Sequence, residues 1–162
     1  MKKCIAIGCA VIAMASASFA QASATLTISG TVAPVNTITI ASQTGYNALD
    51  LVNGASGQVV GIATEKSNDK LGYKVTLSSL NAGSTAQAFL KGALTGNADT
   101  VNYSITYGGT AVTLASGSAI VTSVAARTGT AGVTKNIAVT FAGGWLTADT
   151  YSDTLTLTIA GN

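Results

Sequence analysis

Acid–base chemistry in this chain would have to come from six carboxylates, Asp50, Glu65, Asp69, Asp99, Asp149 and Asp153, because there is no histidine. Asp149 and Asp153 flank Tyr151, and paired carboxylates of this kind can serve glycoside hydrolysis. Both are read instead as solvated turn and strand-end residues. No serine stands in a histidine or lysine pattern that would activate it. The pairs Gly108-Gly109 and Gly143-Gly144 lack the Lys-Ser/Thr that a phosphate loop requires. Asn68-Asp69 and Asn97-x-Asp99 fall short of the alternating acids of a calcium loop. Asn102-Tyr-Ser104 matches a glycosylation sequon but sits inside a predicted strand. Trp145, next to Gly143-Gly144, is read as a core or loop anchor in preference to a sugar-stacking platform. The expectation is a chain that is not an enzyme, with no catalytic residues, no cofactor and no metal site.

The residues that pattern most clearly are structural. In Ser23 to Val35, Leu26, Ile28, Gly30 and Val32 share one face of an extended segment, and Thr25, Thr27, Ser29 and Thr31 share the other. Pro34 ends the run, since it has no N–H to give a ladder. A glycine among three bulky apolar residues suits a face over which a shallow pocket or another backbone comes close. Two readings follow: a first strand paired within its own chain, or a strand that completes a neighbouring subunit.

Ahead of it, Met1-Lys2-Lys3 and the small, apolar run from Cys4 to Ala17 read as a secretory signal cleaved after Ala20 or Ala22. The run is too short for a membrane span, and Ala6-Ile7-Gly8-Cys9 is too close to the start to be a lipoprotein box, so no lipid anchor is expected. Cleavage would remove Cys4 and Cys9, leaving no disulfide or thiol. It would also remove Lys2 and Lys3, so eight basic residues become six against six acidic ones. A neutral chain gives no electrostatic case for nucleic acid or an anionic membrane.

Beyond Pro34, short alternating runs recur every 8–12 residues or so, rich in threonine and valine and punctuated by glycine turns. Strands are expected over Val35–Ala41, Gln58–Thr64 (Val60 and Ile62 on one face), Tyr73–Leu77, Val101–Tyr107, Val112–Leu114, Ala119–Val124 and Ile137–Phe141. Tyr151, Leu155, Leu157 and Ile159 line one face of the last strand, with Asp153 as an exception at its wet end. Glu65 to Lys70 reads as an exposed, charged hairpin loop, and Ala86–Ala93 fits a short helix or an irregular strand. The expected fold class is all-β, an antiparallel β-sandwich. Residues 1–22 would be the signal, 23–34 the N-terminal strand and 35–162 the sandwich domain.

Both ends of the chain resemble chaperone–usher pilins, the fimbrial major subunits, of the class without the pilin disulfide. Thr25-Leu-Thr-Ile-Ser-Gly-Thr-Val-Ala-Pro-Val is similar to that family's donor strand, and Leu146 to Ile159 to its closing strand, with Asp149 where the family often has glycine. The resemblance implies an incomplete immunoglobulin-like sandwich, completed by a donor strand from a neighbouring subunit. It implies partners too: identical subunits in a homopolymer, a periplasmic chaperone, an outer-membrane usher and a tip adhesin. It implies export to the periplasm and then the cell surface. Leu26, Ile28, Gly30 and Val32 would be the donor-strand face, and Tyr151, Leu155, Leu157 and Ile159 the acceptor-groove strand. A self-contained secreted binding module and a spore-coat-like matrix protein are the alternatives.

Overall fold

The computed structural model describes residues 22–162, so the expected export signal lies, but for Ala22, outside the described residues. The chain divides after Val32 into two units. Residues 22–32 carry no strand assignment. Leu26, Ile28 and Val32 are 85%, 87% and 85% exposed.

Residues 33–162 are all-β, and every ladder among the described residues is antiparallel. The strands are β1 (Asn36–Ser42), β2 (Gly54–Ser67), β3 (Tyr73–Ser79), β4 (Ala88–Gly92) and β5 (Thr100–Tyr107). They continue with β6 (Thr110–Val112), β7 (Ser118–Val124), β8 (Val133–Ala142), β9 (Tyr151–Ser152) and β10 (Leu155–Gly161). One sheet runs β1-β2-β8-β5-β4-β9, with β6 also on β5, and the other runs β10-β3-β7. Alternate residues of both sheets meet in one core around Val75, Leu77, Tyr103, Ile105, Ile137, Val139 and Phe141. The doubtful segment at Ala86–Ala93 is strand β4: Ala88 and Leu90 are buried on one side while Lys91 is exposed.

Strand β2 departs most from its sequence pattern. It runs through to Ser67, so Glu65 is not in a loop, and Glu65 is 0% exposed. The cause is a bulge against β8 between Val59 and Gly61. An extra residue there shifts the face by one. Val60 packs inward before the bulge; after it Gly61, Ala63, Glu65 and Ser67 are the buried set, and Ile62 lies on the opposite face. The expected pairing of Val60 with Ile62 on a single buried face is therefore corrected. Only the short turn after Ser67 remains of the predicted charged loop. Gly72 closes it at φ +89°, where a side chain would run into Val124 O.

Strands β9 and β10 are one extended segment that changes sheets at Asp153-Thr154: β9 pairs with β4, and β10 with β3. This change leaves β10 at the edge of the small sheet.

Candidate functional site

Two strand edges stand beside each other without pairing. β1 ends the large sheet and β10 ends the small one, and they run antiparallel. Asn36 and Gly161 come together at one end, while Ser42 and Leu155 share a cleft at the other. Between them lies a cleft of about 200 Å³, floored by Val60, Leu90, Ile137, Val139 and Phe141 and flanked by Ile40 and Leu155. Ile40 points into it yet is 46% exposed. An apolar side chain aimed at the core and still wet marks a place where the core lacks cover. The outer edges of β1 and β10 carry unpaired N–H and C=O groups, and the two strands close on each other toward the Asn36–Gly161 end.

Of the residues expected on the groove strand, Leu155 lines the cleft, Leu157 is buried and Ile159 is half-buried. Tyr151 is not brought to the cleft. It sits on β9 in the other sheet, where its hydroxyl donates to Thr147 O (2.9 Å) and accepts from Asn97 Nδ2 (3.1 Å). The lining from β1, Ile40 above all, was not singled out from sequence. Its alternation with Thr39 and Thr37 was the available signal.

Asp149 and Asp153 do not form a pair. Burial pushes the Asp149 carboxyl up, but bonds from Leu94 N–H, Asn97 Nδ2 and Thr150 N–H outweigh it and hold it below the usual range. Asp99 is held low chiefly by Thr147 N–H, and Asp50 by the Asn53 amide and backbone N–H. These acids pin the loops at the Ser42 end of the body. Asp153 is not a wet strand end. Its Oδ2 accepts from Ser79 Oγ and Tyr103 OH, both 2.6 Å, and its Oδ1 from Asn81 N–H (3.0 Å) and Thr154 N–H (2.7 Å). That set of bonds fixes the point where the last strand changes sheets.

Glu65 is a second buried hub. Its Oε1 accepts from Tyr107 OH and Thr122 Oγ1, both 2.6 Å, and its Oε2 from Tyr73 OH at 2.9 Å. Burial and then the Glu65 bond push the Tyr73 phenol up to about 12. Burial and the neighbouring carboxylates push Tyr107 and Tyr103 up as well. A phenol raised in the folded state contributes its full stability below the unfolded value of 10.0, and loses it as pH climbs. Denaturant midpoints are thus expected to hold steady to about pH 9.5 and fall steadily from pH 10 to 12. A midpoint that stays level through pH 12 would contradict the hydroxyl–carboxylate bonding of these tyrosines.

Trp145 is corrected: at 99% exposure it anchors neither core nor loop. Neither a protein-family model nor a curated protein matches the chain.

Proposed function

We propose that the chain is a structural subunit of an extracellular adhesive filament, built head to tail by strand donation. In this reading the body is an immunoglobulin-like sandwich lacking its closing strand. A periplasmic chaperone covers the cleft, and an outer-membrane usher exchanges it for the leading segment of the next copy. The observation that carries the reading is the open apolar cleft between two unpaired strand edges, in a chain whose leading segment keeps an alternating apolar face exposed. β-Strand addition joins these two features. Main-chain bonds supply affinity and alternate side chains in the cleft supply register. Burying Leu26, Ile28 and Val32 contributes roughly 5–9 kcal/mol gross. A head-to-tail contact of this kind does not close, so it propagates as a filament.

The test is direct. Expressed with a chaperone and usher, the chain should give ladders that survive detergent until boiled; a monomer that refolds cooperatively alone, with residues 23–34 docked in cis, would refute the reading. Gly30 probes the register. A Cβ at Gly30 meets nothing within 4 Å, so Gly30→Leu costs the unassembled subunit no packing. Over a shallow part of the cleft it should slow strand exchange by about tenfold or more, measured as loss of chaperone from the complex. An unchanged rate would remove the pocket from the argument.

A further inference from the structure

Exposed apolar side chains of the body gather at its two ends. Tyr46, Val52, Leu94 and Trp145 stand at the Ser42–Leu155 end, and they are 52%, 69%, 57% and 99% exposed. Hydrogen bonds tie their loops together there: Gly144 N–H donates to Leu51 O (3.0 Å) and Leu94 N–H to Asp149 Oδ2 (2.9 Å). At the opposite end stand Val35, Leu71, Val124 and Val133, from 36% to 66% exposed. Leu80, 72% exposed, belongs to the Ser42–Leu155 end, where its N–H donates to Thr154 O; Ile40 lies in the cleft and Ile120 on β7.

Charge divides the same way. The Trp145 end carries Asp50, Asp99 and Asp149, with Lys91 beside them on β4. The far end carries Lys66, Lys70 and Arg127, all exposed, with Asp69 among them. Thr128 N–H on Ser67 O and Asn68 Nδ2 on Ala33 O gather the loops of that end around the point where the leading segment leaves.

We propose that these ends are one interface: the Trp145 end of each copy receives the Arg127 end of the copy whose leading segment it holds. The inference rests on strand donation as read above and adds a second contact to it. Because β1 and β10 run in opposite directions, a segment between them is antiparallel to one and parallel to the other. Laying it parallel on β10 would bring the basic poles of the two copies together. A segment laid antiparallel on β10 places Leu26 near Gly161 and Val32 near Leu155. From Val32 to Asn36 is four residues, a reach of at most about 14 Å. The donor's body must therefore stop against the Ser42–Leu155 end, with its basic, apolar pole foremost. Acid meets base and apolar meets apolar only in this orientation, which speeds encounter and excludes the reversed stacking.

Trp145 is the sole tryptophan of the chain, so it reports the contact by itself. Acrylamide quenching is measured on detergent-stable filaments, on chaperone-bound subunit and on free N-acetyltryptophanamide as the fully exposed reference. The quenching constant should fall at least about threefold in filaments, as an indole moves into a packed interface. The double variant Lys70→Glu, Arg127→Glu should keep the ladders but return quenching toward the exposed value. Ladders with Trp145 as quenchable as the reference would overturn the end-to-end contact and leave strand donation standing. A double variant as protected as the parent would overturn the charge matching that sets the orientation. No ladders from the parent chain would overturn strand donation, and the contact with it.

Discussion

Ile28→Asp is expected to abolish filaments while leaving a folded, chaperone-bound subunit. The side chain is 87% exposed in the unassembled chain, so the substitution removes no packing there and should not alter the subunit's melting. Its effect arises only on docking. In the register that places Leu26 near Gly161 and Val32 near Leu155, Ile28 packs toward Ile159, which is half-buried against the apolar core. Docking would forfeit about 1.5–3 kcal/mol of burial and add several kcal/mol for an unpaired charge out of water. Together that is about 5 kcal/mol or more, roughly three to four orders of magnitude in the equilibrium constant. Thr27→Asp, on the outward face, is the control and should leave assembly nearly unchanged. Both are scored by detergent-resistant ladders and by electron microscopy of filaments. Normal filaments from Ile28→Asp, or equal loss from both variants, would rule out docking through the Leu26–Val32 face.

Glu65→Ala should be the most damaging single change in the body. Three hydroxyls, on Tyr73, Tyr107 and Thr122, lose their acceptor at once. A buried donor left unmade costs about 1–3 kcal/mol, so three come to about 3–9 kcal/mol before the cavity is counted. Against a typical domain stability of roughly 5–15 kcal/mol this lowers Tm by roughly 10–20 °C or prevents folding. The mechanism has its own rescue. Leucine at position 65, combined with Tyr73→Phe, Tyr107→Phe and Thr122→Val, removes donors and acceptor together, and such replacements are often close to neutral. Thermal melts of the single and combined variants decide the matter. A loss under about 1 kcal/mol for Glu65→Ala would mean that water replaces the carboxylate and the hub is not structural.

Much of this molecule follows from composition and period. Threonine–valine alternation with glycine turns dictates antiparallel strands, because period-two patterns bury one face only in a sheet. Most strands lie close to where the alternation places them, and Leu155, Leu157 and Ile159 do turn toward the core; β4 is left open by the pattern, β6 lies two residues earlier, and the single last strand divides into β9 and β10. Alternation also marks Leu26, Ile28 and Val32 as one apolar face, and all three are exposed.

What alternation cannot encode is an interruption in its own count. The bulge at Val59–Gly61 is set by how β2 registers on β8, a partner more than 70 residues away, and that one extra residue carries Glu65 from the surface to the centre of the core. Asp153 departs from its strand-end pattern for a similar reason. Its role depends on a change of sheets, which brings Ser79, Asn81 and Tyr103 around one carboxylate. The cleft is likewise a property of topology, since it exists only because β1 and β10 end different sheets side by side without a strand between them. Local sequence determined which residues want burial; long-range pairing decided which of them obtain it, because a ladder fixes register between distant segments and the period within one segment does not.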